Sequence, residues 1–485
     1  MVNFHIVSKI IGQLLFLLAL MMLVCVGMAF AYGEDDAMPF VWSMLITAAC
    51  GLALRQLGRK AGNNLYRRDA YLVVTLTWII YSFFGMLPFL IGGYITNVAD
   101  AYFEMMSGFT TTGATILDDV EYMPHSILFW RTFSQWIGGL GIVFFTIALL
   151  PAMVGGSTKV FSAEITGPMF TKMHPRISTN AKWIWSIYLT LTIICGVSYW
   201  AAGMDWYDSL NYSMTTLATG GFAPHNESTA FFQRPLIEYL TILFMFLSGT
   251  NFTLLYIGIF KMKLRAMMKN TEFRMYLSLV AIYTLALMYI LITRQGYDLE
   301  HALRSGLFQT VSFITTTGLF NDDAGQWPHI TWVLLGLCMF TGACAGSTSG
   351  GFKLIRCSMI LKIIRNEFRH NLHPNAVLPI KVNDQSMPQN KLPTLIAFFG
   401  IYIIMIVISA SIMISIGVDN TNAITIALSC MGNVGPTLGT QIGPEMSWSS
   451  LPDAIKWICS LLMLMGRLEI MTVLVLFTRA YWKEN

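Results

Sequence analysis

Apolar residues in this chain of 485 do not alternate with polar ones but lie in long uninterrupted blocks. A helix rises 1.5 Å per residue, so about 20 apolar residues cross the roughly 30 Å of hydrocarbon in a bilayer. Nine charge-free runs reach or approach that length, at 10–33, 37–54, 71–98, 132–158, 183–204, 239–260, 275–293, 324–352 and 392–418. A tenth, 457–478, is interrupted only by Arg467 and Glu469. The pattern predicts an all-α polytopic membrane protein with ten transmembrane helices. The first run also carries marks of a signal peptide, with Lys9 ahead of it and Ala29-Phe30-Ala31 near its end. It is longer than the apolar core of such signals, about 7–15 residues, and is read as a retained helix.

The polar segments between the runs alternate in sign. Segments 55–70, 159–182, 261–274 and 353–391 hold 21 basic and 5 acidic residues, whereas 34–36, 99–131, 205–238, 294–323 and 419–456 hold 5 basic and 19 acidic. Basic segments stay on the cytoplasmic side, which places the first set and both termini inside.

Composition adds exclusions. Charged residues make up 12% of the chain, against about 25% in soluble domains. With 55% hydrophobic residues, a water-soluble globule is excluded. A net charge of +4, sorted by side, gives no support to nucleic-acid binding. The 13 Trp and 19 Tyr suit two membrane–water interfaces. The eight cysteines show no CxxC or metal-like spacing and read as small buried hydrophobes.

Four of the five outer segments contain a moderately apolar stretch too short to cross, at 101–110, 208–217, 301–314 and 422–431. Each is followed by a glycine motif: Thr111-Thr112-Gly113, Ala218-Thr219-Gly220, Thr316-Thr317-Gly318 and Asn433-Val434-Gly435. Nine positions before the glycine stand Glu104, Asn211 and Gln309, and in the fourth unit Ile426. The chain thus divides into an accessory two-helix hairpin (1–70) and four helix–pore loop–helix units, 71–158, 159–272, 273–391 and 392–485.

Irregular backbone at membrane depth is tolerated where protein buries it or water lies beside it. Re-entrant loops lining an aqueous path meet that condition, and glycine lets their carbonyls turn toward an axis instead of into a helix ladder. Four such loops around a pseudo-fourfold axis make a cage of oxygens able to replace the water around an alkali cation. The negative C-terminal ends of the short helices favour a cation there. One Thr-Thr-Gly would be an ordinary turn; four in register point to a selectivity filter.

Phe109-Thr110-Thr111-Thr112-Gly113-Ala114-Thr115, Ala218-Thr219-Gly220-Gly221-Phe222, Ile314-Thr315-Thr316-Thr317-Gly318 and Gly432-Asn433-Val434-Gly435-Pro436-Thr437 resemble the pore loops of the Trk/Ktr/HKT superfamily of potassium transporters. The likeness runs from about residue 71 to the end of the chain, and the extra hairpin makes it more similar to the longer Trk-type membrane subunits than to the Ktr type. The resemblance implies a fold like that of potassium channels, K⁺ as the transported ion at the filter residues, and uptake of K⁺ and Rb⁺ across the bacterial inner membrane. It also implies a homodimer and a cytosolic nucleotide-binding regulatory ring of the TrkA type, with no covalently bound cofactor. In that family a serine at the first filter glycine accompanies sodium permeation; Gly113, Gly220, Gly318 and Gly435 are all glycine here.

Two further features point to gating. Residues 342–351 interrupt the eighth run with four glycines and three hydroxyls. Close helix packing through Gly342 and Gly346 is the simpler reading, and a phosphate loop is excluded because no strand precedes it and no GxxxxGK[ST] pattern is completed. Gly346, Ser347, Thr348, Ser349 and Gly350 exceed what packing needs and are read as a flexible intramembrane gate. Arg467, near mid-bilayer, costs at least about 2.5 kcal/mol there unless it faces protein or a wet cavity. Glu469, two positions on, is a poor partner for it within one helix, so Arg467 is read as facing the pore and anchoring the gate. An ion-coupled solute symporter with re-entrant loops is the alternative, but its usual signature is two inverted halves. An enzyme is not expected, since no HExxH, GxSxG or nucleophile–base pair occurs in the runs.

Overall fold

The computed structural model describes residues 2–62, 65–141, 177–376, 378–383, 385–386, 392–439 and 442–483. The inner part of the expected run 132–158 and most of the basic segment 159–182 lie outside the described residues. The described residues are mostly helical, and among them six helices are long and apolar enough to cross a membrane. These are Phe4–Tyr32, Ala37–Leu57, Arg67–Ile91, Ala181–Ala201, Thr271–Gln295 and Leu392–Ile416.

The first two form an antiparallel hairpin whose helices meet at Gly12 and Gly51, where a Cβ would strike the facing backbone. The hairpin is fastened to the rest of the bundle by the Tyr81 hydroxyl, which donates to the Leu14 carbonyl at 2.7 Å. At the hairpin's turn Tyr32 stacks on His125 with ring centroids 4.1 Å apart, and Glu34 lies 2.7 Å from His125 Nδ1.

The remaining expected runs are not continuous. Run 239–260 is two helices, Pro235–Ser248 and Phe252–Ile259, bent by 105°, and run 457–478 is Asp453–Arg467 and Ile470–Phe477, bent by 113°. Run 324–352 forms an α-helix only over His329–Thr341, and His125–Leu140 ends at Gly141 with φ 93°. These helices are 13 to 16 residues long, or about 20–24 Å, short of a full crossing. Apolar runs thus misreport continuity where glycine or a buried charge lets the ladder break: Gly141, Gly249, Gly342 and the Arg467-Leu468-Glu469 turn stand at the four breaks. Glu469 itself has φ 62°.

Four short helices, Val98–Phe109, Trp206–Ala218, Leu299–Ile314 and Asn420–Gly432, are buried at the centre. Three start on aspartate or asparagine caps that satisfy free amides (Asn97, Asp205 and Asp298), and Asp419 does the same for the fourth. Helix Leu354–Leu372 leads into a two-stranded antiparallel hairpin that pairs Lys381 with Ser386 and Val382 with Gln385.

Candidate functional site: a ring of four loops

All four short helices end alike. The residue after the last turn or next to it is left-handed: Thr111 (φ 53°), Thr219 (54°), Thr316 (57°) and Asn433 (52°). The following amide reaches back five residues, Thr112 to Ser107, Gly220 to Thr215, Thr317 to Ser312 and Val434 to Ser429, at 2.9–3.0 Å. This is a Schellman-type ending, and it fixes where the chain leaves the helix. Two residues beyond the left-handed position φ turns positive again at Gly113 (84°), Gly221 (87°), Gly318 (78°) and Gly435 (96°).

The register of the second loop is therefore one residue later than its motif suggests. Gly220 takes the place of Thr112, Thr317 and Val434, and Gly221 takes the place of the motif glycines. The Gly-Gly pair hid this, since either glycine completes a Thr-Gly motif and only backbone handedness separates them.

The four loops touch in a closed cycle. A Cβ on Gly113 would overlap the carbonyl oxygen of Gly220, one on Gly221 that of Thr317, one on Gly318 that of Val434, and one on Gly435 that of Thr112. Gly113, Gly221, Gly318 and Gly435 are thus each required twice, by φ and by the neighbour's carbonyl. Ala218, the last helical residue of the second unit, is buried behind this ring.

Side chains behind the ring hold it rigid. Asn433 Nδ2 donates to Thr112 Oγ1 at 3.0 Å and to the Met463 carbonyl at 2.9 Å, joining the fourth loop to the first. Thr110 and Thr112 share a hydroxyl hydrogen bond of 2.8 Å, as do Thr315 and Thr317 at 2.7 Å. Gln135 brackets the second loop, donating to the Gly220 carbonyl at 2.7 Å and accepting from the Phe222 amide at 3.1 Å.

Glu104 lies behind the first loop. It accepts from the Ile116 amide at 2.9 Å, from Thr115 Oγ1 at 3.0 Å and from Arg131 Nε at 2.7 Å, in an ion pair with both side chains 1% exposed or less. Arg131 also lies over the Phe222 ring at 4.2 Å. Asn211 accepts from Thr132 at 2.5 Å, and Gln309 donates to the Asp322 carbonyl at 3.0 Å. In the fourth unit, where Ile426 is apolar, Asn422 accepts from the Ile442 amide at 3.2 Å. Arg131 and Gln135 are not distinguished by the sequence reading. Arg131 counts there only as an outer-segment charge, and Gln135 is a single amide inside an apolar run.

Outside the ring, a cavity is lined by Gly113, Gly221, Gly318 and Gly435 together with Asp118, Glu445 and Trp448. The Glu445 carboxyl is pushed up to about 7 by burial and by the negative charges of Asp323, Asp322 and Glu227. Asp118 is held below the usual carboxylate range by hydrogen bonds from Ser447 and Ser449.

On the other side of the ring lies the segment 342–353. The Gly350 amide donates to Thr316 Oγ1 at 2.6 Å, Thr348 Oγ1 donates to the Leu217 carbonyl at 3.0 Å, and a Cβ on Gly350 would overlap the Gly432 carbonyl. Ser347 and Ser349 share a hydroxyl contact of 2.8 Å, and the Asn251 amide holds the Ala345 carbonyl at 2.6 Å while the Phe252 amide reaches the Gly346 carbonyl at 3.0 Å. Arg467 donates to the Thr348 carbonyl at 2.7 Å and to the Gly138 and Gly139 carbonyls at 2.7 and 2.6 Å. Glu469, across the helix break, pairs with Arg356 at 2.6 Å.

A family model described as TrkH, a cation transport protein, matches residues 37–484. The chain belongs to the TrkH family. It is 35% identical over 488 residues to the Trk system potassium uptake protein TrkH of Escherichia coli K12, covering 99% of this chain and 100% of that one. Over 487 residues it is 36% identical to the protein of the same name from Vibrio parahaemolyticus, and over 483 residues 31% identical to TrkG of E. coli K12. The crystal structure of the potassium transporter TrkH from V. parahaemolyticus superimposes with a TM-score of 0.88 at 34% identity, covering 99% of this chain and 100% of that one. Membership of the TrkH family makes this a multi-pass membrane transport protein and not an enzyme.

Proposed function

We propose that the chain takes up K⁺, and Rb⁺ with it, through the ring of four loops. The observation that carries the reading is the cyclic contact of the four motif glycines with the carbonyls of the next loop, which leaves backbone oxygen as the chemistry available to a dehydrated cation. The filter consists of Thr111, Thr112, Gly113, Thr219, Gly220, Gly221, Thr316, Thr317, Gly318, Asn433, Val434 and Gly435, with Ala218 at its inner edge. The four short helices, each between a long helix and a broken one, support the reading as four pseudo-symmetric pore units. The six long helices and two bent pairs give eight crossings among the described residues; taking the runs that begin with His125–Leu140 and His329–Thr341 as one crossing each makes ten, with both termini cytoplasmic by the charge alternation.

Segment 342–351 is the gate and Arg467 its anchor: the guanidinium ties the segment to the first unit across the ion path. The relatives named as Trk system potassium uptake proteins support potassium as the cargo and, through membership of that system, a TrkA-type cytosolic ring as the regulator; the homodimer rests on the resemblance alone. A solute symporter finds no support in loops that run in the same sense.

Gly113→Ser tests the filter. Its side chain would meet the Gly220 carbonyl and force the loops apart. Reversal potentials of reconstituted protein in K⁺ and Na⁺ gradients should shift toward Na⁺ permeation, and an unchanged K⁺/Na⁺ ratio would falsify the cage.

A further inference from the structure

Glu272 is a buried carboxylate that the ring does not use. It is 6% exposed at the start of helix Thr271–Gln295, and among the described residues no Lys, Arg or His lies within ion-pair distance of it. A buried charge without a counter-ion is costly and depends on its hydrogen bonds. Glu272 accepts from the Ala345 amide at 2.7 Å, while Asn251 donates to the Ala345 carbonyl at 2.6 Å, so both backbone groups of this residue of segment 342–351 are held by side chains. The helix start that carries Glu272 is itself completed from afar. Asn270 caps the Glu272 and Phe273 amides, but the Thr271 amide donates to Asn383 Oδ1 at 2.8 Å, 112 positions on. Asn383 (φ 49°) follows strand residues Lys381 and Val382 of the hairpin. Val382 and Ile380 share a small apolar cluster with Ala345, Ile355, Met359 and Leu395, apart from the main core. Lys362 and Asn366 of helix Leu354–Leu372 hold the hairpin in place by donating to the Lys381 and Leu378 carbonyls at 2.6 and 3.0 Å.

We propose that Glu272 is a positioning residue through which the hairpin holds the gate closed. The inference rests on segment 342–351 being the gate. Thr271 and Glu272 are consecutive at one helix end: the first is held by the hairpin through Asn383, the second holds Ala345, and the cluster around Val382 joins the same two parts by packing. A displacement of the hairpin therefore withdraws a charged acceptor from Ala345 and loosens the packing around it together. The hairpin belongs to the basic segment 353–391, which the charge alternation assigns to the cytoplasm, so it is the handle by which a load on that side reaches a segment at membrane depth. Arg467 tethers the same segment at Thr348; Glu272 is a second tether, three residues earlier.

Hydrogen exchange of the full chain in lipid nanodiscs, read by mass spectrometry over residues 342–352, tests the tether. Glu272→Ala should speed exchange there about tenfold or more, since it removes a bond to a charged group. Glu272→Gln, which keeps an oxygen acceptor without the charge, should give an intermediate rate. Asn383→Gly keeps the left-handed φ and removes the acceptor for the Thr271 amide, and should speed exchange of the same peptide about threefold, an exposed neutral bond being worth less. Asn383→Asp, which restores the acceptor, should return it to the unsubstituted rate. Exchange of 342–352 unmoved by Glu272→Ala or by Asn383→Gly, or raised equally in helix Val98–Phe109, overturns the proposal. Rb⁺ uptake judges the gate separately: faster exchange with unchanged uptake leaves the tether standing and refutes segment 342–351 as the gate.

Discussion

Replacing Arg467 with glutamine puts the gate to a quantitative test. The guanidinium makes three short bonds to carbonyl oxygens, of which the one to Thr348 at 2.7 Å holds the segment that must move, and the pair to Gly138 and Gly139 holds the opposite wall. A hydrogen bond to a charged group is worth about 1.5–3 kcal/mol net. Losing the Thr348 bond from the closed arrangement therefore shifts the closed-to-open ratio by about 10- to 150-fold. Initial rates of Rb⁺ uptake into K⁺-loaded proteoliposomes, without any cytosolic partner, should rise in Arg467→Gln within that range or until the open filter limits the rate. Selectivity should not change, because Arg467 touches no motif glycine. Uptake equal to or slower than that of the unsubstituted protein, at matched amounts of monodisperse protein, would refute the anchor.

Glu104→Gln leaves the buried Arg131 without its counter-charge, at a cost of about 3–5 kcal/mol, which for a chain of this size lowers the thermal midpoint by about 3–5 °C; an unmoved midpoint would show that the pair does not support the loop. Glu445, pushed up to about 7, is neutral below that pH and gains its charge above it. Potassium uptake at low K⁺ should therefore rise as outer pH passes upward through about 7, as negative charge at the mouth concentrates cations. Glu445→Gln should flatten that profile, and a slope that survives the substitution points to another group.

The six long helices and the four motifs were legible because each rests on a local signal: run length, or glycine beside hydroxyls. What escaped needs three dimensions. The break at Gly249 lies inside an unbroken apolar run, where hydropathy is blind to backbone direction. The Arg467 to Glu469 interval, measured as two steps along one helix, is in fact a bend of 113°. It sends Glu469 to Arg356 on another unit. The second loop slipped by one residue because two adjacent glycines are interchangeable until φ is known. Arg131 and Gln135 could not be singled out, since their partners Glu104 and Gly220 lie 27 and 85 positions away.

One consequence follows from the ring's being woven from a single chain. In an assembly of four identical subunits a substitution is felt four times over, so the conduction pathway can change only in fourfold steps. Here the corners already differ, with threonine at three left-handed positions and asparagine at the fourth, and glycine where others carry threonine or valine. Natural variation can therefore retune one corner at a time, and ion preference in such a pore is open to gradual adjustment.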